Sequence, residues 1–259
     1  MNEARIIPYG TVNNVTLYCG DCLEIMPQLD IKFDCCITDP PYQTTHNAWD
    51  SVIPFEPMWN QLNRLVKESG AVILFGQDKF SAKLMLSNET NHRYNLIWKK
   101  GERTSGFLNA KKMPLRNHED IMIFYREQPV YNPQMTVGKQ SHSKGKMKIA
   151  QKNNCYGKFN DVQTSFSNLK YPKSVLNFDR PHPPIHPTQK PVELMEYLIK
   201  TYTNENEYVL DFTAGSGTTG VACMETNRKC VLIEKEKKYC EIIMNRLREK
   251  EKEMAERLF

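Results

Sequence analysis

Two short stretches hold the residue types that chemistry needs. The first is Thr38-Asp39-Pro40-Pro41-Tyr42, which follows the apolar run at 33–37. Two prolines after a strand stiffen the chain and withhold backbone donors. An acid and an aromatic are thereby held in a fixed relation at a strand's carboxyl end, where open α/β sheets bind their ligands. The Asp39 carboxylate can accept one hydrogen of an exocyclic amino group, and the Pro40 carbonyl the other. Such a nitrogen is a poor nucleophile because its lone pair is delocalised into the ring. Two acceptors favour a tetrahedral nitrogen whose lone pair faces an electrophilic methyl group, and positioning then supplies much of the rate. Tyr42 can stack on a base extruded from its duplex, a contact worth about 1–3 kcal/mol. As a bare tetrapeptide the motif also fits a plain turn after a strand.

The second stretch is Val209-Leu210-Asp211-Phe212-Thr213-Ala214-Gly215-Ser216-Gly217-Thr218-Thr219-Gly220, a strand running into a glycine turn and then a helix. Glycine permits the tight turn and lets a ligand approach the backbone. Glu234 ends the next apolar strand, where an acid can accept hydrogen bonds from both hydroxyls of a ribose. A dinucleotide and S-adenosylmethionine both fit this pattern. Too few residues follow Gly220 to finish a dinucleotide-binding domain. The remaining strands must come from the N-terminal part of the chain, so the sheet is expected to be circularly permuted.

The elements that must position these residues read as alternating short apolar runs and helical patterns, which favours an α/β fold with a mainly parallel sheet. Strands are expected at 15–19, 33–38, 71–75, 95–99, 121–125, 208–212 and 230–234. Helices are expected at 22–28, 56–67, 78–87, 192–202, 218–226 and 237–255. Residues 129–187 break this rhythm, being rich in Lys, Asn, Ser, Gln and Pro. A stretch of that length without periodicity is functional or disordered. The last helix, with Glu and Lys interleaved over 249–253, reads as a solvated end with local ion pairs.

The chain has 259 residues, 40% of them hydrophobic, enough for one large domain with a real core. No apolar run is long enough to span a membrane, and the N-terminus lacks the apolar core of a secretory signal. A cytoplasmic location is therefore expected. The eight cysteines agree, most of them lying in apolar runs as small hydrophobes. Cys19 and Cys22 have a CxxC spacing, but no second pair with finger-like spacing follows, so no metal is expected. Net charge is only +5, and its distribution says more. No acid stands between Glu127 and Asp161, where Lys139, Lys144, Lys146 and Lys148 cluster with further lysines. A second basic stretch holds Lys99, Lys100, Arg103, Lys111, Lys112 and Arg116. Such asymmetry suits a polyanion, and it equally suits a solvated loop.

Taken in order, these motifs resemble the β-type permuted family of DNA amino-methyltransferases. There the DPPY motif precedes the target-recognition region and the cofactor motif comes last. The resemblance covers nearly the whole chain. It implies a Rossmann-like, S-adenosylmethionine-dependent methyltransferase fold in permuted order, with a seven-stranded, mostly parallel sheet. It implies one catalytic domain over 1–259, with a target-recognition insertion at about 129–187. Gly20-Asp21-Cys22 resembles the acidic turn near the cofactor's adenine, although Asp21 also fits an ordinary helix N-cap. His186-Pro187-Thr188-Gln189-Lys190-Pro191 resembles the segment before the helix that flanks the methionine end, where Thr188 would cap that helix and Lys190 would add charge. Asn117-His118-Glu119-Asp120 also looks familial, with a structural role as well supported as a functional one. One departure stands out. Where the family often shows Asp-Pro-Phe before the glycine loop, this chain has Asp211-Phe212-Thr213, so contacts of that phenylalanine do not carry over to Phe212.

The resemblance therefore implies methyl transfer from S-adenosylmethionine to the N6 amino group of adenine in double-stranded DNA. Asp39, Pro40, Pro41 and Tyr42 form the catalytic set. Asp21, Cys22, Asp39, Thr188, Lys190, Asp211, Phe212, Ala214, Gly215, Ser216, Gly217, Thr218, Thr219 and Glu234 form the cofactor set. Lys99, Lys111, Lys112, Arg116, Lys139, Lys144, Lys146 and Lys148 are the candidate DNA contacts. The loop at 43–55 is expected near the flipped base, with Trp49 there as a DNA contact or as packing. Asp at position 39 leans to adenine, where Ser would lean to cytosine N4, and the same chemistry serves both. A nucleotide-dependent oxidoreductase leaves the DPPY motif unexplained. A silent DNA-binding module leaves an intact catalytic set without use. A second copy of the chain and a cognate restriction endonuclease are the partners the resemblance brings with it.

Overall fold

The computed structural model describes residues 6–43, 51–139, 168–185 and 189–257. The strands are β1 (Gly10–Val12), β2 (Val15–Cys19), β3 (Phe33–Thr38), β4 (Val66–Gly76), β5 (His92–Lys99), β6 (His118–Phe124), β7 (Thr136–Val137), β8 (Leu169–Lys170), β9 (Val175–Asn177), β10 (Tyr208–Asp211) and β11 (Lys229–Glu234). The helices are α1 (Cys22–Ile25), α2 (Phe55–Leu65), α3 (Asp78–Leu86), α4 (Val192–Tyr202), α5 (Thr218–Glu225) and α6 (Lys237–Glu256). Among the described residues the main sheet has nine strands in the order β1-β2-β11-β10-β3-β4-β6-β5-β9. The run from β2 through β4 is parallel, and β6 lies antiparallel between β4 and β5.

The expected count of seven strands is thus corrected to nine. The seven central strands are the expected ones, and a three-residue strand is added at each edge. β1 folds back on β2 through a hairpin in which Asn13 takes the left-handed conformation (φ 51°) that asparagine tolerates. β9 lies parallel to β5, with Ile97 opposite Val175. Strands this short show no periodicity for a sequence pattern to catch. β4 also starts earlier than expected. α2 stops at Leu65, and Val66 is already paired with Phe33. A partner strand recruited residues that read locally as a helix end.

Both faces of the sheet are covered, which explains why its strands read as continuous apolar runs. Alternate residues go to opposite sides. Cys35, Ile37, Ile73, Val209 and Leu232 pack with α4, α5 and α6. Cys36, Val72, Leu74, Leu210 and Ile233 pack with α1, α2 and α3. α2 contributes Met58, Trp59, Leu62 and Leu65, one apolar stripe at helical spacing.

The chain divides into two compact units, one of residues 1–132 and 174–259, the other of 133–173. The Asp39–Tyr42 turn, the glycine loop and β9 belong to the first. In the second, the described residues form the β7–β8 pair, with Thr136 opposite Lys170 and Val137 opposite Leu169. The second unit lies within the stretch at 129–187 expected as the insertion.

Candidate active site

β10 and β3 are parallel neighbours whose connections depart in opposite directions, β10 through α5 to β11 and β3 through α2 to β4. That divergence opens a crevice at the carboxyl ends of the strands, the usual ligand position in such sheets. A cleft occupies this place. It is lined by the ends of β2 (Gly20, Asp21), β11 (Glu234), β10 (Asp211 and the glycine loop), β3 (Asp39 to Tyr42) and β4 (Phe75). Two motifs far apart in the chain are therefore neighbours in space.

Hydroxyls and carboxylates join the two motifs. Thr38 Oγ1 donates to Asp211 Oδ1 (2.5 Å), and Thr219 Oγ1 donates to Asp211 Oδ2 (2.5 Å). Thr213 Oγ1 donates to the Asp39 carbonyl (3.0 Å). Burial pushes the Asp211 carboxyl up to about 6, with the threonine hydroxyls pulling the other way. Thr213, the residue at the departure from the family pattern, thus ties the glycine loop to the Asp39–Tyr42 turn. Phe212 is buried in the core at 1% exposure and also borders the cleft.

On the cofactor side, Glu234 accepts the Gly215 N–H (2.7 Å) through one carboxylate oxygen and the Glu236 N–H (2.8 Å) through the other. Both oxygens keep further lone pairs, and the residue lines the cleft. Burial raises its carboxyl above the ordinary value. Asp21 stands at the start of α1 and at the rim of the cleft. It caps α1 by accepting the Leu23 N–H (2.9 Å), and it lines the cleft beside Lys235 (3.1 Å). Cys22, Ala214, Gly215, Ser216, Thr218 and Thr219 line it as well. Gly217 faces away. At φ 74° a Cβ there would lie 2.9 Å from Ile243 Cγ2, so this glycine serves the turn and its packing on α6. Thr188 lies outside the described residues.

Around Asp39 the structure builds a buried row of alternating charge. Tyr42 donates its hydroxyl to Asp39 Oδ1, and Lys190 pairs with Asp39 Oδ2. Lys190 also lies 3.1 Å from Glu119 Oε2, and Lys100 lies 2.6 Å from Glu119 Oε1. Lys100 and Lys190 are only 4% and 6% exposed, which charged ammoniums tolerate only when paired. The Lys190 ammonium sits over Phe75 (4.9 Å) and Trp98 (5.8 Å). Burial pushes the Asp39 carboxyl upward against the pull of Lys190, and Glu119 adds to that push. Burial alone would lower Lys190, but the two carboxylates hold it above its ordinary value. Burial would raise Glu119, but Lys190 and Lys100 keep it below.

Several residues have partners that the sequence did not suggest, Lys190 while lining the cleft. Lys190, read as charge toward the cofactor, is engaged by Asp39. Lys100, part of a basic stretch, is a buried partner of Glu119. Arg116, read as a DNA contact, is held by Asp78 (3.0 Å) and by the side-chain amide oxygen Oε1 of Gln77 (2.9 Å). Lys99 is half-buried in β5, whereas Lys111, Lys112 and Lys139 are exposed. Trp49, Lys144, Lys146 and Lys148 lie outside the described residues. Glu119 and Thr213 were not singled out for the site. Only the motif around Glu119 carried a signal, and it left the role open.

The wider comparisons agree with this geometry. A profile of the DNA methylase family, the N6/N4 class, matches residues 33–245. The chain belongs to that family and is a DNA methyltransferase. It is 26% identical over 266 residues to the type II methyltransferase M2.LlaDCHI of Lactococcus lactis subsp. cremoris, covering 93% of this chain and 91% of that protein. It is 26% identical over 243 residues to the type II methyltransferase M.HpaI of Haemophilus parainfluenzae, covering 89% and 73%. Its fold matches the solved M1.HpyAVI–SAM complex with a TM-score of 0.61 at 24% identity, over 90% of this chain and 99% of that one. It also matches the cytosine-N4-specific PvuII DNA methyltransferase with a TM-score of 0.63 at 15% identity, over 90% and 86%.

Proposed function

We propose that this enzyme methylates the N6 amino group of adenine in double-stranded DNA, using S-adenosylmethionine. The observation that carries the proposal is the placement of Asp39 and Tyr42 on the same cleft as Glu234 and the glycine loop. The residues present fit the cofactor. Glu234 offers a fixed, buried carboxylate to a vicinal diol, and Gly215 offers backbone without a side chain. Asp21 and Cys22, which line the cleft, are assigned to the adenosine end, and Thr188 and Lys190 to the methionine end. When bound, S-adenosylmethionine supplies an electrophilic methyl group on a sulfonium.

The protein's own part is to orient the nitrogen. Asp39 accepts one amino hydrogen and the Pro40 carbonyl the other, Pro41 stiffens the turn, and Tyr42 gives the extruded base a ring to lie against. Proton-accepting groups aimed at a nitrogen that gains positive charge stabilise that charge as it develops. Aspartate rather than serine at position 39 supports adenine over cytosine N4. The unit at 133–173, with Lys139, Lys144, Lys146 and Lys148, together with the exposed Lys111 and Lys112, is assigned to DNA. Its place within 129–187 and its basic composition support target recognition. The names of the type II relatives support a restriction–modification setting, with a cognate endonuclease as partner. A homodimer follows from the family resemblance.

The test is methyl transfer from labelled S-adenosylmethionine to unmethylated DNA, with nucleoside analysis of the product. Labelled N6-methyladenine is expected. Labelled N4-methylcytosine would overturn the base assignment and keep the chemistry. Unlabelled DNA, with cofactor binding intact, would overturn both.

A further inference from the structure

Both oxygens of Asp39 already have donors, Tyr42 at Oδ1 and Lys190 at Oδ2. A carboxylate oxygen has two lone pairs, yet an ammonium drawn onto Oδ2 withdraws the charge that an incoming amino hydrogen needs. The acceptor proposed for the target base is therefore capped while the site waits. Glu119 Oε2 is the place where that cap can go. It is buried and lies 3.1 Å from the Lys190 ammonium, within ion-pair distance but without hydrogen-bonding alignment. Oε1 of the same carboxylate is held by Lys100 at 2.6 Å, which fixes Glu119 from behind. The Lys190 ammonium also lies over the faces of Phe75 (4.9 Å) and Trp98 (5.8 Å), which attract a cation without binding it to one carboxylate. Moving Lys190 from one carboxylate to the other leaves the net charge of the buried cluster unchanged.

We propose that Glu119 is a positioning residue for methyl transfer, a second seat that takes the Lys190 ammonium when the target amino group reaches Asp39 Oδ2. The proposal rests on Asp39 as the acceptor of that group. With Lys190 parked on Glu119, Asp39 meets the base with a full carboxylate charge. Without Glu119, Lys190 stays on Asp39 and competes with the base. Lys100 supports the device by holding Glu119 in place and balancing its charge.

The test is the single-turnover rate of methyl transfer in Glu119→Gln, with cofactor affinity measured by calorimetry and DNA affinity by mobility shift. The rate is expected to fall about tenfold or more, as for a misdirected acceptor, with both affinities near wild type. In a Lys190→Gln background the same substitution is expected to cost nothing further, because Glu119 acts only through Lys190. A wild-type rate in Glu119→Gln overturns the proposal, and so does an equal loss in both backgrounds. If Glu119→Gln does not fold, Glu119→Gln/Lys100→Gln restores the charge balance and removes the same seat. The same fall is expected of it, and a wild-type rate overturns the proposal. Asp39→Ala run in parallel separates the two levels. Transfer by Asp39→Ala would sink the role of Asp39 and this proposal with it. An inactive Asp39→Ala beside a fully active Glu119→Gln would sink this proposal alone.

Discussion

Replacing Asp39 with asparagine should injure the enzyme twice, and the two injuries can be separated. In the native cluster Asp39 and Glu119 face Lys100 and Lys190, two charges of each sign. Asp39→Asn keeps the shape but leaves Glu119 alone against two buried ammoniums. Breaking a buried pair outright costs about 3–5 kcal/mol, and because Lys190 still has Glu119 at 3.1 Å the expected loss is about 2–3 kcal/mol. For a chain of this size that lowers the midpoint of thermal unfolding by about 5–10 °C. Methyl transfer should fall by about 10²–10³-fold or more, since a preorganised acceptor is replaced by a group that presents a donor or a weaker acceptor. Asp39→Asn/Lys190→Met removes both members of the pair and leaves Glu119 matched with Lys100. Its stability should return to within about 1 kcal/mol of wild type while transfer stays absent. The assays are calorimetric unfolding and transfer of labelled methyl groups. An Asp39→Asn protein that melts with wild type would refute the energetic account of the cluster. One that methylates at the wild-type rate would refute the assignment of Asp39.

Three further outcomes can be checked. The Asp211 carboxyl is raised to about 6, so the folded state holds its proton where the unfolded chain has lost it. Its contribution is fully present below about pH 4 and is lost as pH rises to about 6, an effect on the order of 3 kcal/mol. Urea unfolding across that window should show stability falling less, or rising more, with pH in Asp211→Asn than in wild type, and an unchanged slope would count against the shift. Gly217→Ala forces a side chain into left-handed backbone (φ 74°) and against the fully buried Ile243, and should cost about 1–3 kcal/mol in the same unfolding assay. Lys111→Ala/Lys112→Ala should reduce the slope of log affinity for DNA against log salt by about 2, as for two lost phosphate contacts, and an unaltered slope would remove the β5–β6 connection from the DNA surface.

Much of this was legible in the amino-acid sequence because the informative residues obey local rules. The apolar runs at β3, β10 and β11 announce buried parallel strands. The glycine turn needs glycine at Gly217 for backbone reasons, and the two prolines after Asp39 mark a rigid turn. The edge strands were not legible, since three residues such as Gly10–Val12 or Val175–Asn177 gain their structure from a neighbour rather than from a period. The engagement of Lys190 by Asp39 was hidden for a deeper reason. A lysine in a basic or cofactor-like segment reads the same whether it faces solvent, a ligand or a buried carboxylate. Only the fold shows that the chain before α4 passes over the end of β6. Lys100 shows the same ambiguity from the other side, since it stands in a basic stretch yet is buried against Glu119.

The permuted chain order makes the coupling between Thr38, Asp39, Asp211 and Thr213 the centre of the design. In a sheet, function depends on which strand ends are neighbours, and chain order matters only through the connections. β3 and β10 are neighbours, with Cys35 opposite Val209 and Cys36 opposite Leu210. That register brings the Thr38 hydroxyl to Asp211 and the Thr213 hydroxyl to the Asp39 carbonyl. Each motif is thus fixed by a group from the other, and neither turn is held by its own segment alone. A shift of one residue between these two strands would turn Thr38 to the opposite face of the sheet and break both contacts. The glycine loop and the Asp39–Tyr42 turn are therefore aligned by pairing in the sheet interior, where burial on both faces makes the register hardest to change.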